Sequence, residues 1–148
     1  MDFEENLVKR QNSTEYFDTV IGHIEDIVIG EEFQTLVNQF MDCYYLVFEP
    51  GEENKIVYTE IYQKYQFLVE TFIVESLNDR MRNTFDMERF ARELETKRAQ
   101  LDGEIFELLH TLTDFLKFKE MLLDYKAFKA GVYDDLSKDF SVTGLQKP

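Results

Sequence analysis

The chain has 148 residues, which suits one domain with one core; two domains would each be undersized. Apolar residues make up 44%, which excludes a disordered chain, and thirty Asp and Glu against sixteen Lys and Arg (net −14) exclude a phosphate-binding surface and hence a nucleic-acid partner. The same charge disfavours anionic lipid, the lone Cys43 cannot form an internal disulfide, and no stretch is long enough to span a bilayer, so a cytoplasmic monomer without direct membrane insertion is expected.

The opening MDFEENLVKR is too acidic for a signal or transit peptide. Residues 1–60 carry a net charge of −11 and residues 61–148 only −3, so the negative field is concentrated in the first part of the fold. Such a face speeds encounter with a basic partner, although scattered acids also serve plain solubility.

Only two prolines occur, Pro50 and Pro148, and the chain reads as helical. Residues 1–14 are expected to be a flexible segment, 15–131 a helical domain and 132–148 a loosely ordered tail. In the first helix Phe17, Val20, Ile21, Ile24, Ile27 and Val28 recur at helical spacing; Asn12 with Glu15 could cap its start, and Gly30 suits its end. A second helix from about Glu31 places Phe33, Leu36, Val37, Phe40, Met41 and Tyr44 on one side and must stop before Pro50-Gly51. The segment Glu49–Lys55 is then an acidic loop. Thr59 is the expected N-cap of a third helix reaching about Arg82, and Asp86 that of a short fourth with Phe90, Ala91 and Leu94 inward. The run from about Arg98 to Ala130 reads as two helices divided at an internal cap, Thr113-Asp114, or as one continuous helix, with Gly131 ending it. The sum is an all-α bundle of about six helices.

The third helix and the Ile105–Tyr125 stretch are apolar around more than half their circumference. A helix in a small bundle normally hides one stripe. Two stripes mean either a central helix or one side facing a hydrophobic cleft able to receive a partner's amphipathic helix, and the pattern alone does not separate these readings.

Enzymatic chemistry finds no support. No glycines cluster as a phosphate loop requires. Glu107 and His110 have the three-residue spacing of carboxylate-bridged metal helices, but the required second copy is missing: His23 has Val20 in the matching place. The segment Glu49–Glu60 ends like a calcium loop yet holds Asn54 where glycine is needed and contains no Asp. Cys43 follows Asp42, which opposes thiolate formation. No metal, cofactor or catalytic residue is therefore expected.

Several stretches together carry a family likeness. They are Phe40-Met41-Asp42 followed by Tyr44-Tyr45-Leu46 and Phe48-Glu49; Glu52-Glu53-Asn54-Lys55; Tyr58-Thr59 with Ile61; and Thr113-Asp114-Phe115-Leu116 running into Phe118-Lys119-Glu120-Met121-Leu122-Leu123-Asp124-Tyr125. From about Phe17 to Tyr125 the chain resembles the BART-domain family of Arf-like GTPase binders. Cys43 and Glu60 depart from it, where lysine and proline would be expected.

The resemblance implies a non-enzymatic effector. Its partner would be a GTP-bound Arf-like small GTPase, Arf-like two first and Arf-like three as a further candidate. The partner's N-terminal amphipathic helix would enter a hydrophobic cleft, with its switch regions at the rim. It also implies cytoplasm, mitochondrial intermembrane space, centrosome or cilium base, and nucleus as locations. Joined to the double stripes, it gives an expected cleft of Tyr62, Tyr65, Leu68, Val69, Phe72, Ile105, Leu109, Leu112, Phe115, Phe118 and Leu122, with Glu52, Glu53 and Asp114 at the rim. A nucleotide-independent adaptor using the same groove for another protein is the alternative.

Overall fold

A computed structural model describes the backbone of residues 3–145 except residue 102, and side-chain surroundings within residues 15–131. Helix α1 spans Phe3–Ile29 and α2 Glu31–Tyr44, followed by a 3-10 turn, Tyr45–Val47. Helix α3 spans Ile56–Arg80, α4 Met87–Lys97 with a 3-10 turn Arg98–Gln100, α5 Gly103–Thr113 and α6 Phe115–Leu145. The six helices and the absence of strands among the described residues make the domain all-α, as the periodicity requires.

The corner between α1 and α2 turns on Gly30. Its backbone is extended (φ −69°, ψ 150°), so space rather than conformation selects glycine there. A Cβ would stand 3.1 Å from the Ile27 carbonyl oxygen and 3.5 Å from that of Asp26. The Gly30 N–H donates to Ile27 O (3.1 Å), and Gln34 Nε2 donates to Val28 O (2.7 Å), satisfying carbonyls at the end of α1. Glu31 and Glu32 occupy the first turn of α2, where negative charge is favoured.

Helix α3 begins three residues before the expected cap. Thr59 lies inside it, and Lys55 stands at the N-cap position with no side-chain hydrogen bond. The reason is register. Tyr58 is 1% exposed and falls on the same helical stripe as Ile61, Tyr62, Tyr65 and Val69, so the helix must start before Tyr58 to bury it. Phe48 stacks on Tyr58 with ring centroids 4.5 Å apart, closing the loop between α2 and α3 over the core. Two lysines of α6 hold that loop. Lys119, only 5% exposed, donates through Nζ to Gly51 O (2.8 Å) and Asn54 Oδ1 (2.9 Å), and Lys126 Nζ donates to Phe48 O (2.8 Å).

Two other boundaries follow their local chemistry. Asp86 caps α4, its Oδ1 accepting from Arg89 N (3.2 Å). Asp114 breaks α5 from α6, its Oδ1 accepting from Leu116 N (2.9 Å). Gly131, however, does not end α6, which continues through it to Leu145. One mid-helix glycine costs only about 1 kcal/mol relative to alanine and does not by itself stop a helix. Likewise α1 runs back beyond Asn12 to Phe3. Residues 1–14, expected to be a flexible segment, and 132–148, expected to be a loosely ordered tail, have side chains that lie outside the described residues.

Phe118 stands at the centre of the core, with its ring 4.8 Å from Tyr62, 4.9 Å from Tyr65, 5.7 Å from Phe48, 6.2 Å from Phe40 and 6.4 Å from Phe115. These rings join α2, α3 and α6. Phe17, stacked at 5.7 Å on Phe90, joins α1 to α4.

A surface cluster ties α2 to α6. The Tyr125 hydroxyl donates to Asp42 Oδ1, and Lys129 Nζ lies 3.0 Å from the same oxygen. The Tyr125 hydrogen bond first, and Lys129 next, hold the Asp42 carboxyl below its usual range. A lowered carboxyl stabilises the fold above its unfolded-state pKa, and that contribution is lost as pH falls through the lowered value. The stability difference between the native chain and Asp42→Asn should therefore be largest near neutrality and shrink well below pH ~4, the ordinary Asp range. Thermal melts of both proteins from neutral to acid pH measure it; a difference independent of pH would mean that the carboxylate charge contributes nothing here.

Candidate partner-binding site

Helix α4 packs chiefly on α1 and leaves a slot between itself, α3 and α5. Both of its ends are tied. The Tyr16 hydroxyl on α1 accepts from Asp86 N (2.6 Å) and the Arg89 guanidinium lies 4.0 Å from the Tyr16 ring centre, while Arg98 Nη2 donates to Thr113 Oγ1 (3.3 Å) at the end of α5. The slot is a cavity of about 230 Å³. Helix α3 contributes Ile73, Val74 and Leu77; α4 contributes Met87, Phe90, Ala91 and Leu94; and α5 contributes Ile105, Leu108, Leu109 and Leu112. Ile24 and Phe85 complete the apolar lining, and Glu70 and Thr113 are its polar members. The lining is almost wholly apolar, of the kind that accommodates apolar side chains.

The expected cleft residues are distributed over several places. Ile105, Leu109 and Leu112 line this slot. Tyr62, Phe115, Phe118 and Leu122 belong to the core or pack against it, with the Phe115 ring 5.6 Å from Tyr62. Tyr65, Val69, Ile105, Phe118 and Leu122 are at most 1% exposed and offer almost no surface in the free chain. Tyr65 also bonds through its hydroxyl to Thr111 Oγ1 (2.8 Å), and burial pushes that phenol upward in pKa. Phe72 faces the α1–α2 corner, its ring 5.9 Å from Phe33, and Leu68 is half-buried against the core. Of the expected rim, Asp114 directly follows the slot residue Thr113 and pairs with His110 Nε2 at 3.2 Å. Glu52 and Glu53 are exposed on the loop that Lys119 holds, and neither lines the slot.

The slot is also lined by apolar residues outside the expected cleft: Ile24, Ile73, Val74, Leu77, Phe85, Met87, Phe90, Ala91, Leu94 and Leu108. Two signals pointed to those on α3 and α4: the apolar run Phe72-Ile73-Val74 on α3, and the one-sided spacing of Met87, Phe90, Ala91 and Leu94 on α4.

Glu107 lies 3.8 Å from Lys117 Nζ, and His110 faces Asp114. Among the described residues no group of His, Cys, Asp and Glu could hold a metal ion, and no helix is long and apolar enough to cross a membrane.

The fold is thus a small all-helical domain with an apolar slot between α3, α4 and α5. The family model for the ARF-like 2 binding protein BART matches residues 16–131, and the chain belongs to this family. It is similar to the ADP-ribosylation factor-like protein 2-binding protein of Homo sapiens, with 49% identity over 131 residues, 88% of this chain and 80% of that one. The corresponding protein of Xenopus tropicalis is 51% identical over 129 residues (87% and 82%), and that of Gallus gallus 44% identical over 131 residues (88% and 83%).

Proposed function

We propose that the chain is a non-enzymatic effector of an Arf-like small GTPase, Arf-like two first and Arf-like three next. The partner's N-terminal amphipathic helix lies in the slot between α3, α4 and α5, and its switch regions meet the rim near Asp114. Family membership supports the partner, because the relatives carry ARF-like 2 binding in their names. The observation that carries the mode of binding is the apolar slot itself, which α4 leaves open against α3 and α5. Dependence on GTP follows if the partner frees its helix and orders its switches in the same nucleotide state. A protein that contacts both surfaces then reads the nucleotide without touching it.

Titration calorimetry with Arf-like-two GTPase tests this, using a non-hydrolysable GTP analogue in one arm and GDP in the other. Binding at least about a hundredfold tighter in the GTP arm is expected, a difference of roughly 2.7 kcal/mol. Equal binding in both arms would replace the effector with a nucleotide-independent adaptor, and no binding in either would remove Arf-like two as partner.

A further inference from the structure

A second groove runs along the opposite side of α5, between α2 and the first half of α6. It forms because α5 packs chiefly on α6 and α1, which leaves its seam with α2 open. Two adjoining hollows of about 360 and 540 Å³ share Phe33, Glu107 and Leu108 and lie side by side along this seam. The floor is apolar: Phe33, Val37, Leu108 and Met121. Ile29, which is 67% exposed, stands at one end.

The walls are acidic. Glu104 and Glu107 project from α5, and Glu120 and Asp124 from α6; all four are exposed. Among the described residues Lys117 is the only cation lining the two hollows, and it already lies between two of these acids, 3.8 Å from Glu107 and 3.7 Å from Glu120. An apolar floor between carboxylate walls is complementary to a helix with one apolar face flanked by lysine or arginine. It disfavours a helix flanked by acids.

We infer that this α2–α5–α6 groove is a second docking site, whose occupant is a basic amphipathic helix of a partner protein. It is separate from the α3–α4–α5 slot, and the inference does not depend on the GTPase reading. Leu108 lines both cavities, so an occupant of one would press on the wall of the other.

The probe is a synthetic helical peptide of about 15 residues with leucines on one face, lysines flanking them and one tryptophan reporter. The chain has no tryptophan, so fluorescence reports the peptide alone. A peptide with the same leucine face and glutamates for lysines is the second probe. The basic peptide should bind at least about tenfold tighter than the acidic one. Glu107→Lys with Glu120→Lys should weaken the basic peptide about tenfold or more, while Glu60→Lys with Glu95→Lys, an equal change in net charge elsewhere, should leave it within about twofold. Circular dichroism melts establish that each variant is folded, and Val37→Asp gives an independent disruption of the floor. Equal losses from both double variants would reduce the effect to bulk charge. Loss caused by Met87→Glu, but not by the groove variants, would place the peptide in the other slot. Either result, or no binding of the basic peptide, overturns the inference.

Discussion

Phe118→Ala should destabilise the chain by about 3–5 kcal/mol, the range for emptying a buried phenylalanine site that cannot collapse. Phe118 is fully buried, and five aromatic rings from α2, α3, α6 and the α2–α3 loop surround it. Those rings are poor at filling a gap. Phe48 is stacked on Tyr58, and Tyr65 is held by its bond to Thr111. Moving any of them inward would break a contact elsewhere, so most of the cavity would persist. Urea denaturation of the two proteins measures the loss, provided both unfold in one transition. Phe115→Ala is the companion. Phe115 is only partly buried, at the edge of the same cluster, and should cost clearly less. A loss below about 1 kcal/mol for Phe118→Ala would show that the aromatic box repacks.

The boundaries that could be read from the sequence are those set by one residue's own chemistry. The Asp86 cap, the Asp114 break and the Gly30 corner each depend on a side chain or its absence within a few residues. The start of α3 was misplaced because Tyr58 is fixed by burial against Phe48 and Phe118's neighbours, a tertiary cause that outweighs a favourable cap at Thr59. The end of α6 was misplaced because glycine permits a helix stop without enforcing it. Lys119 shows a further limit. Pattern reading assigns lysine to the solvent face, yet here it is buried because loop carbonyl and amide oxygens accept its hydrogen bonds.

The candidate site was only partly legible for a related reason. Core and cleft draw on the same residue types, so the stripes on α3 and α5 could mark apolar surface without saying what covers it. The position of α4 sets which parts of those stripes are covered. It leaves Ile73, Val74 and Leu109 facing an open slot, while Tyr62, Tyr65 and Phe118 close on one another.

That difference gives the second large prediction. Leu109→Ala should weaken binding of GTP-loaded Arf-like-two GTPase by about 2 kcal/mol or more, roughly thirtyfold, because an anchor in a desolvated pocket carries a large share of the affinity. Met87→Glu should do at least as much, by placing a charge at the mouth of an apolar slot. Neither should approach the stability loss of Phe118→Ala. Leu109 is half-buried, and Met87 is 49% exposed. The two measurements together assign each residue. A cleft anchor loses affinity and keeps most of its stability; a core residue loses stability first, and its binding recovers once the folded fraction is taken into account. Calorimetry on the folded variants, paired with urea melts of the same samples, separates the cases. If both slot variants bind within about twofold of the native chain while Phe72→Ala or Phe115→Ala binds poorly, the partner helix lies over the residue whose loss weakens it, at the α1–α2 corner for Phe72 or beside Tyr62 for Phe115, and not between α3, α4 and α5.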